Sequence, residues 1–177
     1  MLLINASNRE KNCFKILNDI KSDNDTLISL SNKEMKFCLG CDSCKNNLKK
    51  HCVLNDYITN SVYQKLLNTD TIVIASPMYM SNINGILKNL IDRMNPFYHH
   101  HELFDGKKVY LVLTGQTSKD ENTEEINNVI EYFKGLSEWL FQEFEFLYYF
   151  EGYNDLESEI NYDNKIESIK QKLKTTA

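Results

Sequence analysis

The sequence predicts an α/β protein built on a doubly wound, five-stranded parallel sheet of order 2-1-3-4-5, and three observations carry that prediction. Short apolar runs alternate with helical patterns along the 177 residues, the signature of successive βαβ units. The 42% hydrophobic and 25% charged content is ordinary for a globular domain with a continuous core. Only six glycines and two prolines occur, no linker divides the chain, and one domain over residues 1–177 is expected.

In chain order, "LLINA" from Leu2 reads as the first strand, followed by a helix for which Asn12 is the expected cap. "TLISLS" from Thr26 is the second strand. Ile58, Val62, Leu66 and Leu67 mark a helix that Asp56 can cap. "TIVIAS" from Thr71 is the third strand, with Pro77 expected just past its end, where the missing N–H costs no ladder bond. Ile83, Ile86, Leu87, Leu90, Ile91 and Met94 then recur at helical spacing. "VYLVLT" from Val109 is the fourth strand. Ile126, Val129, Ile130, Phe133 and Leu140 mark a helix opened by the capping pair Asn122 and Glu125. "FEFLYYF" from Phe144 is the fifth strand, and a helix carrying Ile166, Ile169 and Leu173 closes the chain.

A formal charge of -5 argues against a surface built for nucleic acid or anionic lipid. Met1 runs directly into "LLINAS" without a basic n-region or a long apolar segment, so a cytoplasmic protein is expected. In such sheets ligands bind beyond the carboxyl ends of the strands, at the point where the strand order reverses. Three loops reach that edge. "ASNREKNCFKIL" offers the Ser7 hydroxyl, the Arg9 guanidinium and a helix start, which together suit a phosphate. "SPMYMSNINGILKNLIDR" offers Tyr79 to lie against a planar ring and the backbone of Met78 to Asn82 to meet its polar edge. "TGQTS" offers Thr114 and Gly115, where a missing side chain lets backbone approach a ligand. Neither a glycine-rich dinucleotide fingerprint nor a Walker A pattern is found.

The segments "ASNREKN", "SPMYMSNINGILKNLIDR" and "TGQ", with the C-x-G-C-x-x-C run from Cys38, resemble the flavodoxin-like NAD(P)H-dependent FMN reductases, and within them the iron–sulfur flavoproteins. The resemblance runs in order from the first strand to Thr114. It implies the flavodoxin-like fold, an FMN phosphate held around Ser7, Arg9, Asn12 and Cys13, and the ribityl chain and ring along Pro77, Met78, Tyr79, Met80, Ser81 and Asn82. Thr114 and Gly115 would stand at the ring. NAD(P)H as electron donor is implied by the resemblance alone, as is at least a homodimer. The first loop departs from the family, whose members usually read Gly-Ser-Pro-Arg and end in Asn-Thr or Asn-Ser. Here Ala6, Ser7, Asn8 and Arg9 are followed by Asn12 and Cys13, and a thiol is a poorer phosphate donor than a hydroxyl.

Cys38, Cys41, Cys44 and Cys52 fall in "CLGCDSCKNNLKKHC", spaced C-x2-C-x2-C-x7-C. The compact run supplies three thiolates, and the seven-residue spacer lets a fourth return to the same centre, as a [4Fe-4S] cube requires. This agrees with the iron–sulfur flavoprotein pattern, and Lys45, Lys49, Lys50 and His51 would offset the cluster's negative charge. Zinc, redox-active free thiols and a disulfide remain open for the same four residues. Cys13 is not expected among the ligands. "YHHHE" at Tyr98 to Glu102 reads as a polar segment bordering the flavin mouth or a subunit contact, and Glu143, Glu145 and Glu151 as solvated surface.

The expectation is an FMN-dependent oxidoreductase or electron-transfer flavoprotein, with a small molecule or redox protein as acceptor and no residue in a dedicated acid–base role. A cluster-free NAD(P)H:FMN or quinone reductase is the first alternative. A cysteine-based redox or metal sensor that binds no flavin is the second.

Overall fold

The computed structural model describes residues 1–151 and 162–175. Its central sheet contains β1 (Leu2–Asn5), β2 (Thr26–Ser29), β3 (Thr71–Tyr79), β5 (Lys108–Gly115) and β6 (Glu143–Glu151), parallel and ordered β2-β1-β3-β5-β6. These are the five strands of the sequence reading in the order it predicts. A two-residue β4 (Asn82–Ile83) pairs antiparallel with β3. Among the described residues no helix is long and apolar enough to cross a membrane.

Alternation along the strands divides the core into two layers. Leu2, Ile4, Ile72, Ile74, Val109, Leu111 and Leu113 face one side and pack with residues of α2 (Tyr63–Leu67), α3 (Gly85–Asp92) and α5 (Thr123–Ser137). Their neighbours Leu3, Val73, Ala75, Tyr110 and Val112 face the other, against Ile16, Leu17 and Ile20 of α1 (Asn12–Ile20) and Ile166, Ile169 and Leu173 of α6 (Tyr162–Thr175). Strands buried on both faces are what helices on both sides of a parallel sheet require.

Several boundaries differ from the pattern reading. β3 runs on through Pro77, which lies in register with Thr114 of β5. The Ala75 carbonyl accepts from Ala6 N on the β1 side, and the β1 ladder ends at the Asn5–Ala75 pair. Pro77, two residues on, turns its missing N–H to the side where β1 has already stopped. Ile83 belongs to β4, and Met94 lies beyond α3 before the short α4 (Asn95–His99). Ile58–Val62 is a π-helical turn leading into α2. Asp56 does cap it, with Oδ1 accepting from Thr59 N at 3.2 Å.

Candidate functional site

A cavity of about 550 Å³ opens at the carboxyl ends of β1, β3 and β5, beside the reversal of strand order between β1 and β3. Its size is that of a small-molecule site. Ser7, Arg9, Asn12, Cys13, Pro77, Met78, Tyr79, Met80, Ser81, Thr114 and Gly115 all line it. Of the residues expected there, only Asn82 does not. Its side chain instead accepts from Ile83 N at 2.8 Å and closes the turn into β4.

At one end lies the N-terminus of α1. Asn12 is its first residue rather than its cap, and Lys11 before it provides no side-chain capping bond. The N–H groups of the first turn therefore keep their capacity for an anion. Lys11, Arg9 and the Ser7 hydroxyl border the same space. Asn84 braces this corner: it caps α3 by accepting from Leu87 N at 2.9 Å and donates through Nδ2 to the Ala6 carbonyl at 2.5 Å. Cys13 is buried, with Sγ 3.4 Å from Thr114 Oγ1. Burial pushes its thiol up to about 12 against the hydrogen bond from Thr114, so the side chain is an uncharged wall.

The β3–β4 turn forms the middle of the cavity. Met80 and Ser81 have φ of 50° and 61° between the paired Tyr79 and Asn82, the two successive positive values of a type I′ hairpin. This leaves Tyr79 40% and Met80 97% exposed at the rim, where a ring bound in the cavity would meet them. Five lining residues were not assigned from the sequence: Lys11 at the α1 end, and Gln116, Thr117, Asn122 and Tyr149 at the far end beyond Gly115. Asn122 is not a side-chain cap of α5. Its Nδ2 donates to Tyr149 Oη at 2.9 Å and to Thr117 Oγ1, and Tyr149 Oη donates to the Thr117 carbonyl at 2.9 Å.

Gly115 serves that group. A Cβ there would lie 2.7 Å from Tyr149 Cζ and closer still to its oxygen. The missing side chain makes room for Tyr149. Lys11 was legible as the second cation of the first loop, after Arg9, and Gln116 and Thr117 lie inside the "TGQTS" segment. Tyr149 carried no such signal, because within "FEFLYYF" it reads as one more buried aromatic.

The four clustered cysteines lie elsewhere, around a second cavity of about 20 Å³ that Arg93 and Asn95 also line. That volume suffices for about one water. Among the described residues no three His, Cys, Asp or Glu groups stand close enough to hold a metal ion. The four thiols border one small cavity, but they do not stand as a metal-binding set and the loop encloses no room for a cluster. Cys38 and Cys41 are exposed, Cys44 buried and Cys52 half-buried. Hydrogen bonds from the Ser43 side chain and backbone hold the Cys41 thiol below its ordinary value, while burial raises that of Cys44 despite the bond from Asn95. No residue of "YHHHE" borders the larger cavity; Glu102 of that segment pairs with Lys50 of the cysteine loop at 2.7 Å.

Compared with known proteins, residues 1–136 match the family described as NADPH-dependent FMN reductase. The chain belongs to this family. It is also 39% identical over 99 residues to an iron-sulfur flavoprotein of Archaeoglobus fulgidus, a match covering 52% of this chain and 47% of the relative; the matched stretch is about half of that relative's length. Among solved structures, an FMN-dependent NADH-azoreductase from Bacillus anthracis in complex with FMN aligns at a TM-score of 0.64 with 16% identity, over 99% of this chain and 98% of that one. A flavodoxin, WrbA-like protein from Agrobacterium tumefaciens aligns at 0.59 with 10% identity, over 96% and 88%. The fold of this FMN reductase family member is flavodoxin-like.

Proposed function

We propose that the protein is an FMN-dependent oxidoreductase that takes electrons from NAD(P)H in the cytoplasm and passes them to a small molecule or a redox protein. The observation that carries this reading is the convergence of three loop ends on one cavity, with an uncapped helix start and two cations at one end and Tyr79 at the rim. These residues fit FMN. The first turn of α1, Ser7, Arg9 and Lys11 would hold the phosphate, the Pro77–Ser81 backbone would follow the ribityl chain, and Tyr79 and Gly115 would flank the ring. When bound, FMN supplies the hydride and electron chemistry. The chain's own work is to bind, orient and shield, and no side chain is assigned a proton-transfer role. Tyr79 and Met80 are exposed at the rim, where a second copy of the chain would wall in the ring.

We further infer that Cys38, Cys41, Cys44 and Cys52 are the ligands of a [4Fe-4S] cluster. Support comes from the four-thiol cavity and from the similarity to a relative named an iron-sulfur flavoprotein. The small volume means that the loop would widen around the cluster. The test is the visible spectrum of protein purified without oxygen, with iron, acid-labile sulfide and FMN analyses, before and after NADH or NADPH. Flavin bands that bleach with the nucleotide, with about four irons per chain, are expected. Flavin bands without iron would reduce the assignment to a cluster-free FMN reductase, and absence of flavin after supplying FMN would contradict the whole reading.

A further inference from the structure

The loop between β1 and α1 borders the phosphate corner, and three buried side chains hold its carbonyls. Asn84 Nδ2 donates to the Ala6 carbonyl at 2.5 Å. Ser31 Oγ, just beyond β2, donates to the Asn8 carbonyl at 3.0 Å. Asn5 Nδ2, at the end of β1, donates to Ser29 Oγ at 2.8 Å and reaches the Arg9 carbonyl at 3.4 Å. Ser29 Oγ also accepts from Ser31 N at 3.3 Å, which links the braces from β1 and β2. Asn5, Ser31 and Asn84 are 0%, 4% and 1% exposed, and none of them lines the cavity that Ser7 and Arg9 border.

The peptide bonds of this loop are trans, and a trans peptide sets its carbonyl and the next N–H on opposite sides of the chain. Fixing the carbonyls of Ala6, Asn8 and Arg9 therefore fixes the N–H groups of Ser7, Arg9 and Glu10, each turned away from its brace. The Ser7 hydroxyl accepts from Arg9 N at 3.3 Å, which leaves its own proton to donate. Asn8, Arg9 and Glu10 are exposed, so the loop has no apolar packing of its own to hold this shape. Asn5 comes at a cost to the core. Its Oδ1 is buried with no partner among the described residues, and an unpaired buried acceptor destabilises where an apolar side chain would not. The other residues of β1, Leu2, Leu3 and Ile4, are all apolar. The amide at the fourth position is explained by the loop it holds.

We propose that Asn5, Ser31 and Asn84 are positioning residues for the flavin phosphate: by fixing three carbonyls of the first loop they set its N–H groups and the Ser7 hydroxyl for an anion before the ligand arrives. The proposal rests on the reading that FMN binds in this cavity with its phosphate at the start of α1. Donors that are already set give up less freedom on binding, and the difference appears as affinity. It concerns the phosphate alone and is absent for a flavin that lacks one.

The experiment titrates the full flavin-free chain with FMN and with riboflavin, for wild type, Asn84→Ser, Ser31→Ala and Ser31→Thr. Serine at position 84 keeps a hydroxyl to cap α3 but loses the amide that donates to Ala6. Threonine at position 31 keeps the hydroxyl that alanine removes. Asn84→Ser and Ser31→Ala are each expected to bind FMN about tenfold more weakly with riboflavin affinity unchanged, so that the preference for FMN shrinks. Ser31→Thr is expected to retain the wild-type preference. General loosening of the fold would weaken both ligands alike. That outcome, or a wild-type preference kept in both Asn84→Ser and Ser31→Ala, overturns the proposal. If Asn84→Ser does not fold, the two Ser31 variants decide. Wild-type protein that binds FMN and riboflavin equally, or binds neither, contradicts the FMN reading itself, and the proposal falls with it.

Discussion

Gly115 and Tyr149 show how one residue's identity is set by another far along the chain. The phenol lies where a Cβ at position 115 would stand, and its hydroxyl is tied to the Thr117 carbonyl and to Asn122. Gly115→Ala should therefore act as an overpacking mutation costing about 1–3 kcal/mol, seen as a lower melting temperature and weaker FMN binding. Combined with Tyr149→Leu, which vacates the space, it should cost less than the sum of the two single changes. Strict additivity in thermal melts would show that the two side chains do not compete. Cys13 is the opposite case. Burial keeps it a neutral thiol, so a phosphate bound beside it would rely on backbone N–H groups, Ser7 and the two cations.

At the scale of elements, the β3–β4 hairpin carries the largest departure from local preference. Type I′ turns favour Asn-Gly because both central residues need positive φ, yet Met80 and Ser81 adopt it here. The left-handed conformation costs a non-glycine residue about 1–2 kcal/mol, partly offset in glycine by its larger unfolded-state entropy. Ser81→Gly should thus stabilise the protein by about 0.5 kcal/mol in urea unfolding, and a loss of stability would show that Ser81 makes a contact worth more than the strain. The same hairpin marks the limit of what the sequence reveals. The five long strands were legible because their alternation feeds two core layers, and the cavity edge followed from the strand order. β4 was not, because "MS" is no turn signature and Ile83 falls in phase with the helix after it. Asn122 was misread as a side-chain cap for a related reason: its spacing to Glu125 suits a cap, but only the tertiary structure brings Tyr149 within its reach.

For the molecule as a whole, the buried Asp56–Arg93 pair joins the cysteine loop to the sheet layers and gives stability a defined pH dependence. Burial works to raise the Asp56 carboxyl, but the hydrogen bonds from Arg93, Lys36 N and Thr59 N outweigh it and hold the group below the ordinary carboxylate value. A carboxyl depressed in the folded state contributes stability that is fully present above its unfolded value of about 3.9. That contribution is lost as pH falls through the lower folded value. Asp56→Asn should be less stable at neutral pH by about 3 kcal/mol and should lose less on acidification below about pH 4, measured by urea unfolding across pH. Parallel pH curves for variant and wild type would remove Asp56 from the account.

A pair of titrations of the flavin-free chain, one with FMN and one with riboflavin, tests whether the cavity between the three loop ends takes a phosphorylated flavin. The two ligands share the ring and ribityl chain and differ only in the phosphate, which the first turn of α1, Ser7, Arg9 and Lys11 would receive. Charge-assisted hydrogen bonds of this kind are worth about 1.5–3 kcal/mol each. FMN is therefore expected to bind at about one per chain and at least about a hundredfold more tightly than riboflavin. Equal affinity for the two, or binding of neither, would contradict the account.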